Sequence, residues 1–536
     1  MIRTLLVFCV AIISNCIFAQ PARPKLVVGI MVDQMRWDFL YRYYDRFSPQ
    51  GGFKRMLGEG FSCEQAMIDY TPTVTGVGHT CVYTGTVPSI SGITGNAWWD
   101  RKAMRSVYCV EDQAVSTVGS SSTNGRMSPR NLVVTTIGDE LRLATNFRSK
   151  VIGIGMKDRG SILPAGHNGT AYWYDNTTGN WITSTYYMAA LPKWVADFNA
   201  QKWPNKFYRE GWKLVYPIDS YRQSSADVKA FEEKKFGQSF PYDLSRFENR
   251  DYAAIATTPH GNSLTTQFAR AAILGEKLGA DEFTDLLALS YSPPDHIGHA
   301  FGPNSVEVED TYIRLDRELG ELFNFLDARV GRGHYSVFLS ADHGVAEIPE
   351  FLQENKIPAG RVFMGSIVES MNRSLAEKFG LHKLILSNSN YQLSLDVRAI
   401  DSAGIDRRTI TNRIVEQLAG QPGIARAFPL AELNTVPLPS LLRERLNNSY
   451  YPGRSGDIQL ILQSHYIDAY NNTGTTHGLW NPYDSHIPLL WYGWGIRKGK
   501  SQRTVNMSDI APTLAALLHV QLPSGCVGQP IPEVLK

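Results

Sequence analysis

Residues 26–33 read LVVGIMVD, an unbroken apolar run that stops at an acidic side chain, Asp33. The run is strand-sized and shows no polar alternation, as expected of a strand buried on both faces of a parallel sheet. Four further stretches follow the same plan. VIGIGM precedes Lys157 and Arg159, LLALSYSPP precedes Asp295 and His299, and YSVFLSA precedes Asp342 and His343. GTTHG, carrying His477, stands ahead of the apolar run IPLLWYGWG. In open α/β sheets, ligands bind in the crevice outside the carboxyl ends of the strands. Chemistry scattered over hundreds of residues is thereby brought to one edge of one sheet. The predicted fold class is α/β: a doubly wound, mostly parallel central sheet flanked by helices, with two insertions.

The insertions are read from shifts in composition. Strand-like and helix-like runs alternate from Lys25 to about Gly160, and Ser128 to Thr145 reads as a helix feeding the strand VIGIG. From about 168 to 250, Tyr, Trp, Asn, Thr and Lys dominate, with Trp173, Tyr174, Trp181, Tyr186 and Tyr187 recurring. This stretch is expected to be an aromatic-rich cap over the core. The alternation resumes near Leu264 and runs to about Glu347. From about 351 to 464, YQLSLDV and DIQLILQ read as strands and RRTITNRIVEQLAG as a helix, giving a small α/β lobe in which nothing suggests chemistry. The tail MSDIAPTLAALLHV closes the core with a helix that begins at Asp509.

A chain of 536 residues is too long for one simple core, which fits a large domain with insertions. With 43% hydrophobic and 19% charged residues, disorder is excluded as the global state. A net charge of +2 argues against a nucleic-acid footprint or a broadly cationic membrane surface. Residues 1–19 carry a basic Arg3, an apolar stretch from Leu5 to Ile13 and a small residue at Ala19, the pattern of a secretory signal peptide. The mature chain from 20 to 536 is then expected in the periplasm or outside the cell, with no stable membrane span. A lipid anchor at Cys16 is disfavoured by Asn15 before it. Cys63, Cys81, Cys109 and Cys526 remain, an even count that permits disulfides, and no CxxC pair suggests a thiolate zinc site.

Asp295 and His299 lie four residues apart, so on a helix they share a face and reach one cation. Asp342 and His343 are adjacent at a strand end, where strict alternation has stopped. Carboxylates and imidazoles without thiolates suit Zn²⁺ over Mn²⁺ or Fe²⁺. Three Asp and three His (Asp33, Asp295, Asp342, His299, His343, His477) suffice for two ions. Taken singly, each residue is more often structural, and His79, His167, His296 and His486 compete on composition. The joint placement at strand ends favours the six. Thr71, Thr73 and Thr75 precede a helical stretch of small residues, where backbone N–H groups and the helix dipole favour an anion. A metal-bound threonine hydroxyl there becomes a nucleophile. Asn96 offers a neutral donor. Lys157 and Arg159, two apart, point to one side if extended and supply cations for phosphate oxygens.

With these residues in view, the chain resembles the alkaline phosphatase superfamily, and within it the periplasmic, phosphate-irrepressible alkaline phosphatases of the PafA type. The matching motifs are VDQMRWD, YTPTVTGVGHTCVYTG, TGNAWWD, KDRGSILPAGH, DHIGHAFGPNS, ADHG, TTHG and DIAPTLA. The resemblance implies a two-zinc phosphomonoesterase with Thr75 as nucleophile and a phospho-threonine intermediate. It assigns Asp33, Thr75, Asp342 and His343 to one zinc and Asp295, His299 and His477 to the other. Asn96, Lys157 and Arg159 would contact the phosphoryl oxygens. Small phosphate monoesters are the implied substrates, of a monomeric enzyme. The C/S-x-P-x-R motif of related sulfatases is absent. Related phosphodiesterases share the ligands and threonine but lack the Lys–Arg pair, which favours the more highly charged monoester. A phosphodiesterase on the same scaffold and a non-catalytic binding protein are the alternatives.

Overall fold

In a computed structural model, residues 23–536 are described. The expected signal peptide and Cys16 lie outside them. The core is an eleven-stranded sheet. Five parallel strands form its centre, in the spatial order Tyr335–Ser340, Leu26–Val32, Asp285–Tyr291, Val151–Gly155 and Thr170–Asp175. Antiparallel strands Leu489–Gly493 and Asn180–Ser184 flank that centre. All seven residues of Leu26–Val32 are buried, because helices cover both faces, and this is why the run carries no polar alternation.

Register sets the active edge. Met31 pairs with Ser340 on one side and Ser290 on the other, and Gly155 also pairs with Ser290. The carboxyl ends of four strands therefore finish level, and the residues just past them emerge together.

Two sequence expectations need adjustment. The helix expected over Ser128–Thr145 forms only at Ile137–Ala144, where Thr136 and Asp139 make a capping box. Proline and β-branched residues leave the preceding segment irregular. Within the aromatic-rich stretch, Thr170–Asp175 and Asn180–Ser184 are strands of the central sheet. Trp173 and Trp181 are buried in the main core, so their aromatic character serves packing. Residues 360–468 hold a separate four-stranded sheet with its own apolar core of Leu393, Ile410, Ile414 and Ile458 among others. Cys63, Cys81, Cys109 and Cys526 are all unpaired. Among the described residues no helix is long and apolar enough to cross a membrane.

Candidate active site

Asp33 follows its strand directly, and Asp342 and His343 lie two and three residues past Ser340. Asp295 and His299 stand one turn apart on the helix Pro293–Phe301, as their spacing predicts. His477 comes from an irregular loop. Its Nδ1 faces the carbonyl oxygen of Thr73 at 2.7 Å, that of His299 faces Thr475 at 2.7 Å, and that of His343 faces Gly344 at 2.9 Å. A ring nitrogen facing a carbonyl carries the proton, so each ring, when neutral, presents Nε2 as a lone pair. These Nε2 atoms converge on carboxylates: 3.2 Å and 3.5 Å from Asp295 Oδ1 for His299 and His477, and 3.5 Å from Asp33 Oδ1 for His343.

The donor set fits metal. Asp33 Oδ1, Asp342 Oδ2 and His343 Nε2 are buried and have no hydrogen-bond partner, a costly state for a protein atom unless a cation serves it. Two groups have ligand atoms within 4.8 Å of one another: Asp295, His299 and His477, and Asp33, Asp295 and His343. The first is the trio implied by resemblance. The second places Asp295 beside the Asp33–His343 pair, with Asp342 adjoining it.

Lys157 enters this cluster from the clamp side. Its Nζ donates to Asp33 Oδ2 at 2.7 Å, Asp295 Oδ2 at 2.5 Å and Thr75 Oγ1 at 3.3 Å. Burial, with the neighbouring Asp342 carboxylate next, raises Asp33 well above the usual carboxylate range. Burial works the same way on Asp295, but His299 and Lys157 overcome it and hold that group low. Burial pushes His343 down to about 3, keeping it neutral as a metal ligand must be.

Thr75 is the first residue of the helix Thr75–Thr84, whose ten residues are all buried. A Cβ on Gly78 would lie 2.4 Å from the carbonyl oxygen of Asp342, so glycine lets this helix start against the Asp342–His343 loop. Thr73 Oγ1 bonds the carbonyl of Leu479, which removes it from the site. Asn96 Oδ1 accepts from the Gly76 N–H at 2.8 Å, fixing the amide so that Nδ2 remains the free donor.

Lys157 and Arg159 do not share an extended segment. Lys157 has extended backbone but Arg159 lies in the first turn of the helix Asp158–Ala165, because Asp158 starts a helix there. Both still line one cavity of about 270 Å³, with Tyr108, Met156, Trp173 and His296 among its walls. Arg159 Nη1 donates to Tyr108 Oη at 3.0 Å, and Tyr108 Oη donates to Asp158 Oδ1 at 2.5 Å. The tyrosine thus stands between carboxylate and guanidinium, and Arg159 Nε is buried without a partner.

Sequence reasoning missed Tyr108, Asp158 and Gln34, and weighed His79 only as a competing ligand. Gln34 has a left-handed backbone (φ 68°) and donates to Asp342 Oδ1 through its N–H and to Asp295 Oδ1 through Nε2. His79 lies between the carbonyl of Thr75 and the hydroxyl of Ser290. Of the other competing histidines, His296 lines the Lys157–Arg159 cavity, whereas His486 stacks on Trp37 and His167 pairs with Asp139.

The type I phosphodiesterase / nucleotide pyrophosphatase family matches residues 27–484, a span that holds every group above. The chain belongs to this family, within the alkaline phosphatase superfamily. It is 48% identical to alkaline phosphatase PhoV of Synechococcus elongatus, over 98% of this chain and 95% of that one. It is also 48% identical to alkaline phosphatase PafA of Elizabethkingia meningoseptica, over 98% of each. A Myroides odoratus relative named calcium-transporting ATPase is 47% identical over 96% of this chain and 95% of its own. A crystal structure of wild-type PafA superposes with a TM-score of 0.94, covering 96% of this chain and 99% of that one. A second structure is of a PafA mutant altered at a threonine, an asparagine, a lysine and an arginine. It superposes with a TM-score of 0.93 at 47% identity, over 96% of this chain and 99% of that one.

Proposed function

We propose that the chain is an alkaline phosphatase, a metal-dependent hydrolase of phosphate monoesters that works through a phospho-threonine intermediate. The observation that carries this is the meeting of Thr75, Lys157 and the Asp/His cluster at one helix N-terminus. In the PafA mutant, the threonine and asparagine are spaced as Thr75 and Asn96 are, and the lysine and arginine as Lys157 and Arg159 are. That agreement supports the same four residue types acting here.

Asp33, Thr75, Asp342 and His343 would hold one ion and Asp295, His299 and His477 the other, and carboxylate–imidazole donors suit zinc. When bound, the ions supply Lewis acidity for the attacking and departing oxygens. Thr75 Oγ, losing its proton to solvent, attacks phosphorus in line as the bond to the ester oxygen breaks and the alcohol departs with a proton from solvent. Water then cleaves the threonine–phosphate bond, restoring the Thr75 hydroxyl and releasing inorganic phosphate. Asn96 Nδ2, Lys157 Nζ and Arg159 donate to the non-bridging oxygens, whose charge is greatest in a monoester dianion. Gly76 N–H holds Asn96 in place, and Tyr108 holds Arg159. Asp295, His299 and His477 would hold an ion able to offset charge on the departing oxygen, which would make a protein general acid unnecessary.

Small phosphate esters are the substrate class, and we place the mature chain, as a monomer, in the periplasm or outside the cell on the strength of residues 1–19. The test is a paired assay of zinc-loaded mature protein on matched nitrophenyl mono- and diesters. A monoester preference is expected; a diester preference, the reading favoured by the family's description, would overturn the proposal.

A further inference from the structure

The small lobe, silent in sequence, reaches the active site at one turn, Ser389–Tyr391. Asn390 and Tyr391 both have left-handed backbones, with φ of 61° and 58°. Asparagine tolerates that conformation, but it is uncommon for tyrosine, and consecutive left-handed residues persist only where surroundings impose them. What surrounds them is the catalytic edge. Asn390 Nδ2 donates at 2.8 Å to the carbonyl oxygen of Ala97, the residue after Asn96. Tyr391 Oη donates at 3.1 Å to the carbonyl oxygen of His477.

Both approaches are tight. A Cβ on Gly95 would lie 2.3 Å from the Asn390 amide, and one on Gly478 would lie 2.8 Å from the Tyr391 ring. The turn is in turn fixed to the lobe: Gln459 Nε2, on the strand Ile458–Leu462, donates to the Tyr391 carbonyl at 3.1 Å. His477 is thereby held at two points, its ring by Thr73 and its backbone by Tyr391. Asn96 is likewise held by Gly76 at its side chain and, through Ala97, by Asn390.

We propose that the Asn390–Tyr391 turn is a positioning clasp of the active site, setting the Asn96 amide against the phosphoryl group and the His477 loop against the metal. This rests on the roles given above to Asn96 and His477. The test uses full-length mature protein. Asn390→Gly keeps the left-handed backbone accessible while deleting the donor. It is expected to leave Tm unchanged and to lower kcat/KM on a nitrophenyl monoester roughly 10-fold, since a displacement of about 1 Å can cost on the order of 10²-fold. Tyr391→Phe deletes one oxygen. It is expected to weaken zinc retention against a chelator about 10-fold, the low end for partners of ligating histidines.

Wild-type kcat/KM in Asn390→Gly together with wild-type zinc retention in Tyr391→Phe would overturn the clasp. A fall in kcat/KM matched by a fall in Tm would also overturn it, since that is mere structural support. An inactive wild-type protein would instead strike the proposed function, and zinc retention in Tyr391→Phe would still decide the clasp.

Discussion

Replacing Arg159 with alanine tests the part of the proposed site assigned to separating monoesters from diesters. The guanidinium donates through Nη1 to Tyr108, while Nε has no protein partner, so part of its fork is available to a phosphoryl group. Charge-assisted hydrogen bonds contribute about 1.5–3 kcal/mol each, and two would give about 3–6 kcal/mol. Single donors removed from comparable sites cost on the order of 10²–10³ in kcat. Lys157 remains in the variant, so the lower part of that range applies. For Arg159→Ala, kcat/KM on a nitrophenyl monoester should fall on the order of 10²-fold. A diester carries one charge instead of two on its non-bridging oxygens, so its loss should be about 10-fold. Initial rates on matched substrates, with circular dichroism and metal content as controls, read both numbers. Equal factors for the two esters would refute the differential-charge argument, because a general loss of geometry penalises both alike.

Tyr108→Phe, which removes the acceptor of Arg159 Nη1, should lower monoester kcat/KM about 5-fold, for a hydrogen bond of about 1 kcal/mol. In an Arg159→Ala background it should add nothing, and additivity in that cycle would detach Tyr108 from the arginine. Thr75→Ala should abolish turnover with an unchanged far-ultraviolet spectrum; loss in Thr73→Ala with retention in Thr75→Ala would move the nucleophile. Chelation should abolish activity and zinc should restore it with two ions per chain by elemental analysis, fewer than two counting against the ligand assignment. Glu232 gives a pH test outside the candidate metal ligands: burial, then Glu307 and Asp227, push its carboxyl from 4.5 up to about 9. A raised folded-state value means its stability contribution is complete below about pH 4.5 and is lost as pH rises toward 9. Glu232→Gln should therefore melt higher than wild type at pH 8–9 and at the same temperature near pH 4; a constant difference across that range would refute the assignment.

The sequence was legible where one residue's position followed from local pattern. Asp33, Asp342 and His343 end strands whose apolar runs define them, and Asp295 and His299 share a helix face by spacing alone. Lys157 and Arg159 were found as a pair for a partly wrong reason. The helix that starts at Asp158 turns Arg159 out of line with Lys157, yet the two still line one cavity. Contacts between distant segments left no such trace. Tyr108 reaches Arg159 across 51 residues, and Asn390 reaches Ala97 across 293. Neither position has a period, a charge pattern or a glycine signature of its own. Gly95 and Gly478 did carry a signal, a backbone that something approaches closely, but not the identity of what approaches.

That asymmetry bears on how one scaffold serves two ester classes. Most of the proposed metal ligands and Thr75 come from strand ends and helices that the fold aligns through the register of Leu26–Val32 with its neighbours. Such groups would serve a diester as well as a monoester. The clamp is built differently. Arg159 is aimed by Tyr108, from the hairpin of Ala97–Asp100 with Arg105–Tyr108, and the same hairpin leads out of Asn96. Cys109 N–H closes it on the Asn96 carbonyl at 2.9 Å. The contacts proposed for Asn96 and Arg159 therefore depend on one short hairpin and on what braces it, whereas Lys157 follows the sheet strand Val151–Gly155. Specificity for the monoester dianion can then change with that hairpin while the nucleophile and metals stay fixed. On this reasoning, substitutions that loosen the hairpin should move the mono-to-diester ratio toward one before they reduce metal content, and the reverse order would show that clamp and metal site are a single unit.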